Sequence, residues 1–358
     1  MLKFIGRLLK RTLFAVIFLV VLLLLPVGYI EVFCQQSATP STYQAIITNP
    51  KQQRVEANSY LTYPEWHIVY AYEELAKVLE TGDEHAFGYM QSISAFWKSF
   101  CALNQVAGSH GGADFQTRAT IHTIGVSFTL EMGAKALYEE TLGRLFALIR
   151  GRKKTPQDIY VAKMAKDYAR FLQQVPWYKY DFNKSTSELW RLPVTDTLRS
   201  WERRFALGGE WKAKAAYAQV IAQAVAATGQ ARLTIQSVVS GITSTKLAAI
   251  DGVKIMNKQP GYILMESPRY RKFTHILENV VSRGGKIVEI AGNDDIMISA
   301  ISTSQAAAAL KNGHVISILD RDGGHSHRIL INVQVRKLAA LLQELQVANL
   351  KLEHIYDY

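Results

Sequence analysis

Residues 13–30 read LFAVIFLVVLLLLPVGYI, a run without a single charge. At about 1.5 Å of rise per residue, this run as a helix spans roughly 27 Å, close to the thickness of a hydrocarbon core. A helix is the one single-segment structure that satisfies its own backbone in lipid, and it tolerates Pro26 there better than in water. The flanks differ in charge. Lys3, Arg7, Lys10 and Arg11 precede the run, and Glu31 closes it. Cations are held on the cytoplasmic side, so residues 1–12 are expected in the cytoplasm and the rest of the chain across the membrane. The expected location is the inner (cytoplasmic) membrane of a bacterium, with a periplasmic body.

A cleaved signal peptide also begins basic and then apolar. The cleavage cue here is poor: Gln36-Ser37-Ala38 supplies one good position, and Phe33 stands where cleavage before Cys34 needs a small residue. An uncleaved signal-anchor over residues 13–33 is the reading adopted.

The chain has 358 residues, room for two or three domains, and is 49% hydrophobic, ordinary once an anchor is allowed for. Net charge is +11, and most of it stays with the body. Beside a bilayer such a body favours anionic lipid headgroups; nucleic acid is disfavoured because the body lies outside the cytoplasm. Cys34 and Cys101 are the two cysteines, too few for a disulfide framework or a Cys-rich metal site. They could pair if Cys101 came down to the membrane edge; a buried Cys101 on a helix face is the expectation.

Residues 34–59, broken by Pro40 and Pro50, read as a stalk or an extended wrap. Residues 60–229 read as a helical domain. Pro64 suits a first helical turn, and Trp66, Val69, Tyr70, Leu75, Val78 and Leu79 carry that helix. An apolar stripe follows over residues 84–106, then a long helical stretch over 113–150 that Gly125 and Gly133 are expected to break. His122 and Glu131 lie inside it as hydrogen-bonded core groups. Arg150-Gly151-Arg152-Lys153-Lys154 is a basic run, read as a loop or a lipid-facing patch. Thr155 and Asp158 predict a capped helix start. The aromatic loop over 175–182 either sits at a bilayer edge or folds back over a bundle, and Gly208-Gly209 is expected to divide the helices beyond it.

After Gly229 the segments shorten and β-branched residues rise, so residues 230–358 read as an α+β domain. Strands over 261–266, 286–291, 296–301, 314–320, 327–333 and 354–358, with helices after Pro268, over 303–310 and after Gln334, suggest one antiparallel sheet. The order of elements resembles a ferredoxin-like split βαβ unit with an extra hairpin, a likeness of pattern that says little about activity. No repeat is evident. Val335, Leu338, Leu342, Leu345, Asn349 and Leu352 form a short seam that packs on its own sheet or docks a partner helix or second copy.

The sharpest local cluster is Asp320, Asp322, His325 and His327 around Gly323-Gly324. A two-residue turn sets Asp320 opposite His327 and Asp322 opposite His325, all on one face with Ile316, Ile318, Ile329 and Ile331. Four such donors suit a divalent transition metal; cross-strand pairs on a hairpin tip are the plainer reading. No nucleophile elbow, zinc helix motif, phosphate loop, dinucleotide fingerprint or haem motif occurs. The expected function is binding or assembly at the envelope. The alternatives are a metal-dependent enzyme using the hairpin and a lipid-handling protein with an apolar cavity in its helical domain.

Overall fold

The computed structural model describes residues 2–39, 41–228, 232–303, 310–322 and 325–358. The short helix expected over 303–310 and the Gly323-Gly324 turn lie largely outside them. Helix α1 covers Leu2–Phe33, and its Lys10–Phe33 part is the one helix among the described residues long and apolar enough to cross a membrane. Its side chains stay exposed over most of their length, and full burial begins only at Ile30 and Cys34.

There the chain is fastened. Cys34 and Cys101 form a disulfide, correcting the expectation of a lone buried thiol. The bond is possible because α4 (Tyr89–Ser109) runs down to the end of α1. Asn104 Nδ2 donates to the Cys34 carbonyl at 3.0 Å, and Thr39 N donates to the Gly108 carbonyl at 3.0 Å. Gly108 has no room for a side chain, since a Cβ there would lie 2.8 Å from Gln36. Of the two readings of residues 34–59, the wrap is the one seen. It crosses α4 and then meets the C-terminal half, where Glu289 accepts from Tyr43 Oη and Ile47 N, each at 2.8 Å.

The helical part consists of α2 (Ala57–Leu61), α3 (Tyr63–Thr81), α4, α5 (Phe115–Tyr138), α6 (Arg144–Arg150), α7 (Pro156–Leu172), α8 (Phe182–Arg191) and α9 (Thr197–Thr228). The capping box of α7 is the one its Thr155 and Asp158 predict. The breaks expected at Gly125, Gly133 and Gly208-Gly209 are all absent. Gly125 lies inside α5 because a Cβ there would lie 2.6 Å from the Phe96 ring, so the glycine serves helix packing. Gly208 lies inside an unbroken α9, where the Trp190 indole nitrogen comes within 2.9 Å of the Cβ position. The real irregularity is a π turn, Glu139–Gly143, between α5 and α6. The aromatic loop folds back over the bundle, with Tyr180 packed edge-on against Tyr168 and Phe171.

The C-terminal half holds two sheets rather than one. Strands β1 (Thr234–Ser240), β2 (Lys254–Gln259), β3 (Tyr262–Pro268) and β4 (Lys286–Ile290), with helices α10 (Ser244–Ala248) and α11 (Arg271–Ser282), make an antiparallel sheet in the order β2-β3-β1-β4. Strands β5 (Asp295–Ser302), β6 (His314–Asp320), β7 (His327–Gln334) and β8 (Lys351–Ile355), with α12 (Leu338–Val347), repeat that order as β6-β7-β5-β8. The repetition leaves a trace in the sequence at one constant offset. Arg271-Lys272 recur as Arg336-Lys337, Leu277 as Leu342, Lys286 as Lys351 and Ile290 as Ile355. Gly284 and Asn349 occupy matching positions after α11 and α12, and both have positive φ, the left-handed turn that ends a helix. Strand pairing is non-local and the repeat is dilute, which is why a linear reading merges the two units.

One face of the second sheet packs on α12, and Leu338, Leu341, Leu342 and Leu345 share a core with Ile298, Ile329 and Ile331. The α12 seam is thus spent on its own sheet. The other face, through Met297, Leu319, Leu330 and Tyr356, belongs to the core of the helical part. A register shift between Val315 and Ser317 breaks the expected Ile316–Ile318 alternation, so Ile316 packs toward the helices while Ile329 and Ile331 face α12.

The helical part is bound together by buried charge. Arg203 Nη1 donates to Glu84 at 2.9 Å and Glu139 at 3.0 Å, and its Nε donates to Glu202 at 2.8 Å. Arg199 donates to Asp158 at 2.9 Å, Glu202 at 2.9 Å and Glu84 at 3.1 Å. Arg150 bridges Asp83 and Asp158. The π turn brings Glu139 within reach of Arg203. Deleting one partner of a buried, hydrogen-bonded ion cluster strands the others. Arg203→Ala is therefore expected to cost about 3–5 kcal/mol in urea unfolding of the full chain in detergent. A loss below about 1 kcal/mol would mean that water already solvates the cluster.

Candidate functional site

The hairpin tip separates its four expected donors. Asp320 and His327 pair in the predicted register, with His327 Nδ1 2.8 Å from Asp320 Oδ1. Asp322 turns the other way. Its backbone N donates to Glu74 Oε2 at 2.9 Å, and its carboxylate lies against Gly88 at the start of α4. Burial first and the charge of Glu74 second raise its pKa above the usual carboxylate value. His325 is exposed. The hairpin therefore holds an Asp–His pair and a docking carboxylate, and its four residues are not among the close donor groups found in the described residues.

Two such groups lie elsewhere. Asp83, Glu84 and Asp158 come together, but Arg150, Arg199 and Arg203 already occupy them. Glu56, His110 and Asp295 are the second group, with one donor atom each and all three atoms within 4.8 Å of one another. They meet where the wrap, the end of α4 and the start of β5 converge. His110 Nδ1 is 3.2 Å from Glu56 Oε2, and its Nε2 is 3.2 Å from Tyr60 Oη. Glu56 Oε1 accepts from Asp295 N at 3.0 Å, and Tyr60 Oη donates to Asn332 Oδ1 at 2.8 Å. A carboxylate pair and an imidazole at this spacing is the donor set that could hold a divalent transition ion, and it lies at the junction of the three segments rather than at the hairpin.

The electrostatics of the junction favour a cation there. Burial works against a charged His110, yet the hydrogen bond and charge of Glu56, with Asp295 and Asp294 behind, raise its pKa above 6.5. Burial, then the charge of Glu56, raises Asp294. Burial likewise raises Asp295; His110 opposes this, and Glu56 and Asp294 add to it.

A cavity of about 30 Å³ lies among α3, α5, α7 and α9, room for little more than a water. Its walls carry Lys135, Glu139, Glu210 and Lys214 beside Tyr72, Tyr168 and Trp211. Neither the size nor the charged lining of this cavity suits an acyl chain. Glu131 joins these walls, bonded to Tyr72 Oη and 2.8 Å from Lys214 Nζ. Burial disfavours the Glu210 carboxylate, but Lys135 and Lys214 prevail and bring its pKa down to about 2. His122 lies 2.7 Å from Glu31 at the foot of the anchor. The basic run is half consumed: Arg150 by the ion cluster and Lys154 by the Leu79 and Gly82 carbonyls, at 2.8 and 2.7 Å. Arg152 and Lys153 remain exposed. Of the anchor flank, Arg7, Lys10 and Arg11 are exposed, and Lys3 lies on the same helix.

Comparison with protein families, with curated proteins and with solved structures finds no match.

Sequence reasoning missed Glu56, His110 and Asp295 because they come from three distant segments. The one local cue was the turn Gly108-Ser109-His110-Gly111-Gly112. A histidine whose folded pKa is raised adds stability below its unfolded pKa, and that stability is lost as pH climbs through the folded value. The Tm difference between wild type and His110→Ala is thus expected to be larger near pH 5.5 than near pH 8.5. A difference that grows with pH would contradict the junction electrostatics.

Proposed function

We propose that the chain is a single-pass protein of the bacterial inner membrane, with residues 1–12 in the cytoplasm and the body in the periplasm. There it works as a binding or assembly component. The Cys34–Cys101 bond carries this reading, because a bond of this kind at the exit of the anchor belongs to an oxidising compartment. The basic flank before residue 13 supports the same orientation.

The body's build favours binding over catalysis. Its buried acids and bases are engaged with one another, notably at Arg199, Arg203 and Lys214. The strand orders β2-β3-β1-β4 and β6-β7-β5-β8 support reading the C-terminal half as two ferredoxin-like split βαβ units in tandem. The outer strand β2 is exposed over nearly all its length, a sheet edge that a partner's extended segment can extend. Lys254 and Lys258 on that edge guard it against indiscriminate pairing. The bilayer, anionic lipid at Arg152 and Lys153, and a protein partner or second copy at β2 are the contacts this reading implies; nucleic acid is not.

The orientation is tested by labelling Lys258→Cys in cells stripped of any outer envelope, using a membrane-impermeant maleimide. Labelling of these stripped but unlysed cells is expected. Labelling only after lysis would put the body in the cytoplasm and remove the reading.

A further inference from the structure

We infer that α5 and α6 form a second membrane contact, an arm seated in the interfacial layer of the bilayer that α1 crosses. This rests on the reading of α1 as a membrane span.

The place of the arm comes from two contacts at its root. Arg118 Nη1 donates to Gln35 Oε1 at 3.5 Å, and His122 Nε2 lies 2.7 Å from Glu31 Oε1. His122 thus meets the last turn of α1, and Arg118, one turn earlier on α5, meets both Glu31 and the chain just beyond that turn. The arm therefore starts beside the exit of α1, at the level where that helix leaves the bilayer. From His122 to Arg150 the helical path is about 40 Å long at 1.5 Å per residue, enough to reach well along a membrane surface.

The side of α5 that meets the anchor at Arg118 and His122 continues, at helical spacing, through Val126, Leu130 and Leu137. Leu130 is 51% exposed and Leu137 74%. Beyond the π turn the pattern goes on, with Leu145 at 50%, Leu148 at 69% and Ile149 at 56%. The polarity of the arm is inverted for a helix in water. Its charges Lys135 and Glu139 turn inward to Glu210 and Arg203, while leucines point out. Glu140 and Arg144 also face outward, which limits the arm to headgroup depth, as in an interfacial amphipathic helix. The exposed Arg152 and Lys153 just beyond α6 add cations that suit anionic headgroups. A lipid surface, continuous with the one already holding α1, is the occupant these features fit.

The test uses the full chain in nanodiscs of phosphatidylcholine and phosphatidylglycerol, with one spin label at a time. The native cysteines are closed in their disulfide, so Leu137→Cys and Leu148→Cys label singly. Leu19→Cys in the anchor and Lys258→Cys on β2 are the lipid and water references. At Leu137→Cys and Leu148→Cys, oxygen accessibility is expected to be several-fold above that of a soluble nickel reagent, as at Leu19→Cys and unlike Lys258→Cys. Nickel exposure matching Lys258→Cys would leave the arm in water and overturn the inference. Low access to both reagents would mean a protein surface, a second copy or a partner, covers it, and would overturn it too. A water-like signal at Leu19→Cys would instead bring down the membrane-span reading itself.

Discussion

A covalent bond between Cys34, at the end of α1, and Cys101, within α4, decides where the anchor stops being an independent rod and becomes part of the body. Around it Ile30 and Cys34 are buried, Asn104 holds the Cys34 carbonyl, and the wrap is laid along α4. Closing a loop of 67 residues removes unfolded-state entropy worth about 4 kcal/mol in the chain-entropy account. The wrap then carries the same constraint onward. Arg54 N donates to the Ala291 carbonyl, and Ser59 Oγ accepts from Met297 N while donating to the Tyr356 carbonyl. The long apolar helix, the helical part and the sheets are thus joined along one continuous path that starts at the end of α1.

A second constraint is the disposal of charge. A helical domain with Arg199 and Arg203 in its interior must surround them with acids, and it recruits Glu84, Glu139, Asp158 and Glu202 from four separate segments to do so. Such clusters add little net stability compared with an apolar core, but they penalise any misplacement of the segments that supply them. The same logic recurs between the helices and the second sheet. There Arg328 is held by Glu353 and Glu74 and lies 3.8 Å over the Tyr70 ring. Packing across these interfaces is specified by ion pairs as much as by shape.

Much of this is visible in the sequence where the cause is local. The uncharged run at 13–30 announces the long apolar helix α1, Thr155 and Asp158 announce the start of α7, and Asp320 faces His327 as period-two alternation requires. Features caused by distant contacts are not visible in that way. Gly125 and Gly208 read as helix breakers, yet each makes room for an aromatic ring from another helix. Arg199 and Arg203 carry no local mark of burial beyond the four-residue spacing they share with the buried Leu207 and Trp211. The two sheets read as one because their common offset survives in only a few residues, and Cys34 gives no sign that α4 descends to meet it. The Glu56–His110–Asp295 junction is likewise assembled only by folding.

The bond at the end of α1 is tested most directly by reacting the unfolded, unreduced full-length protein with a maleimide-linked polymer that retards each thiol-bearing chain on a gel. The account predicts no retardation until a reductant is added, and then a shift for two thiols. A shift for two thiols without reductant would mean that Cys34 and Cys101 are free and that the anchor is not clasped to the body.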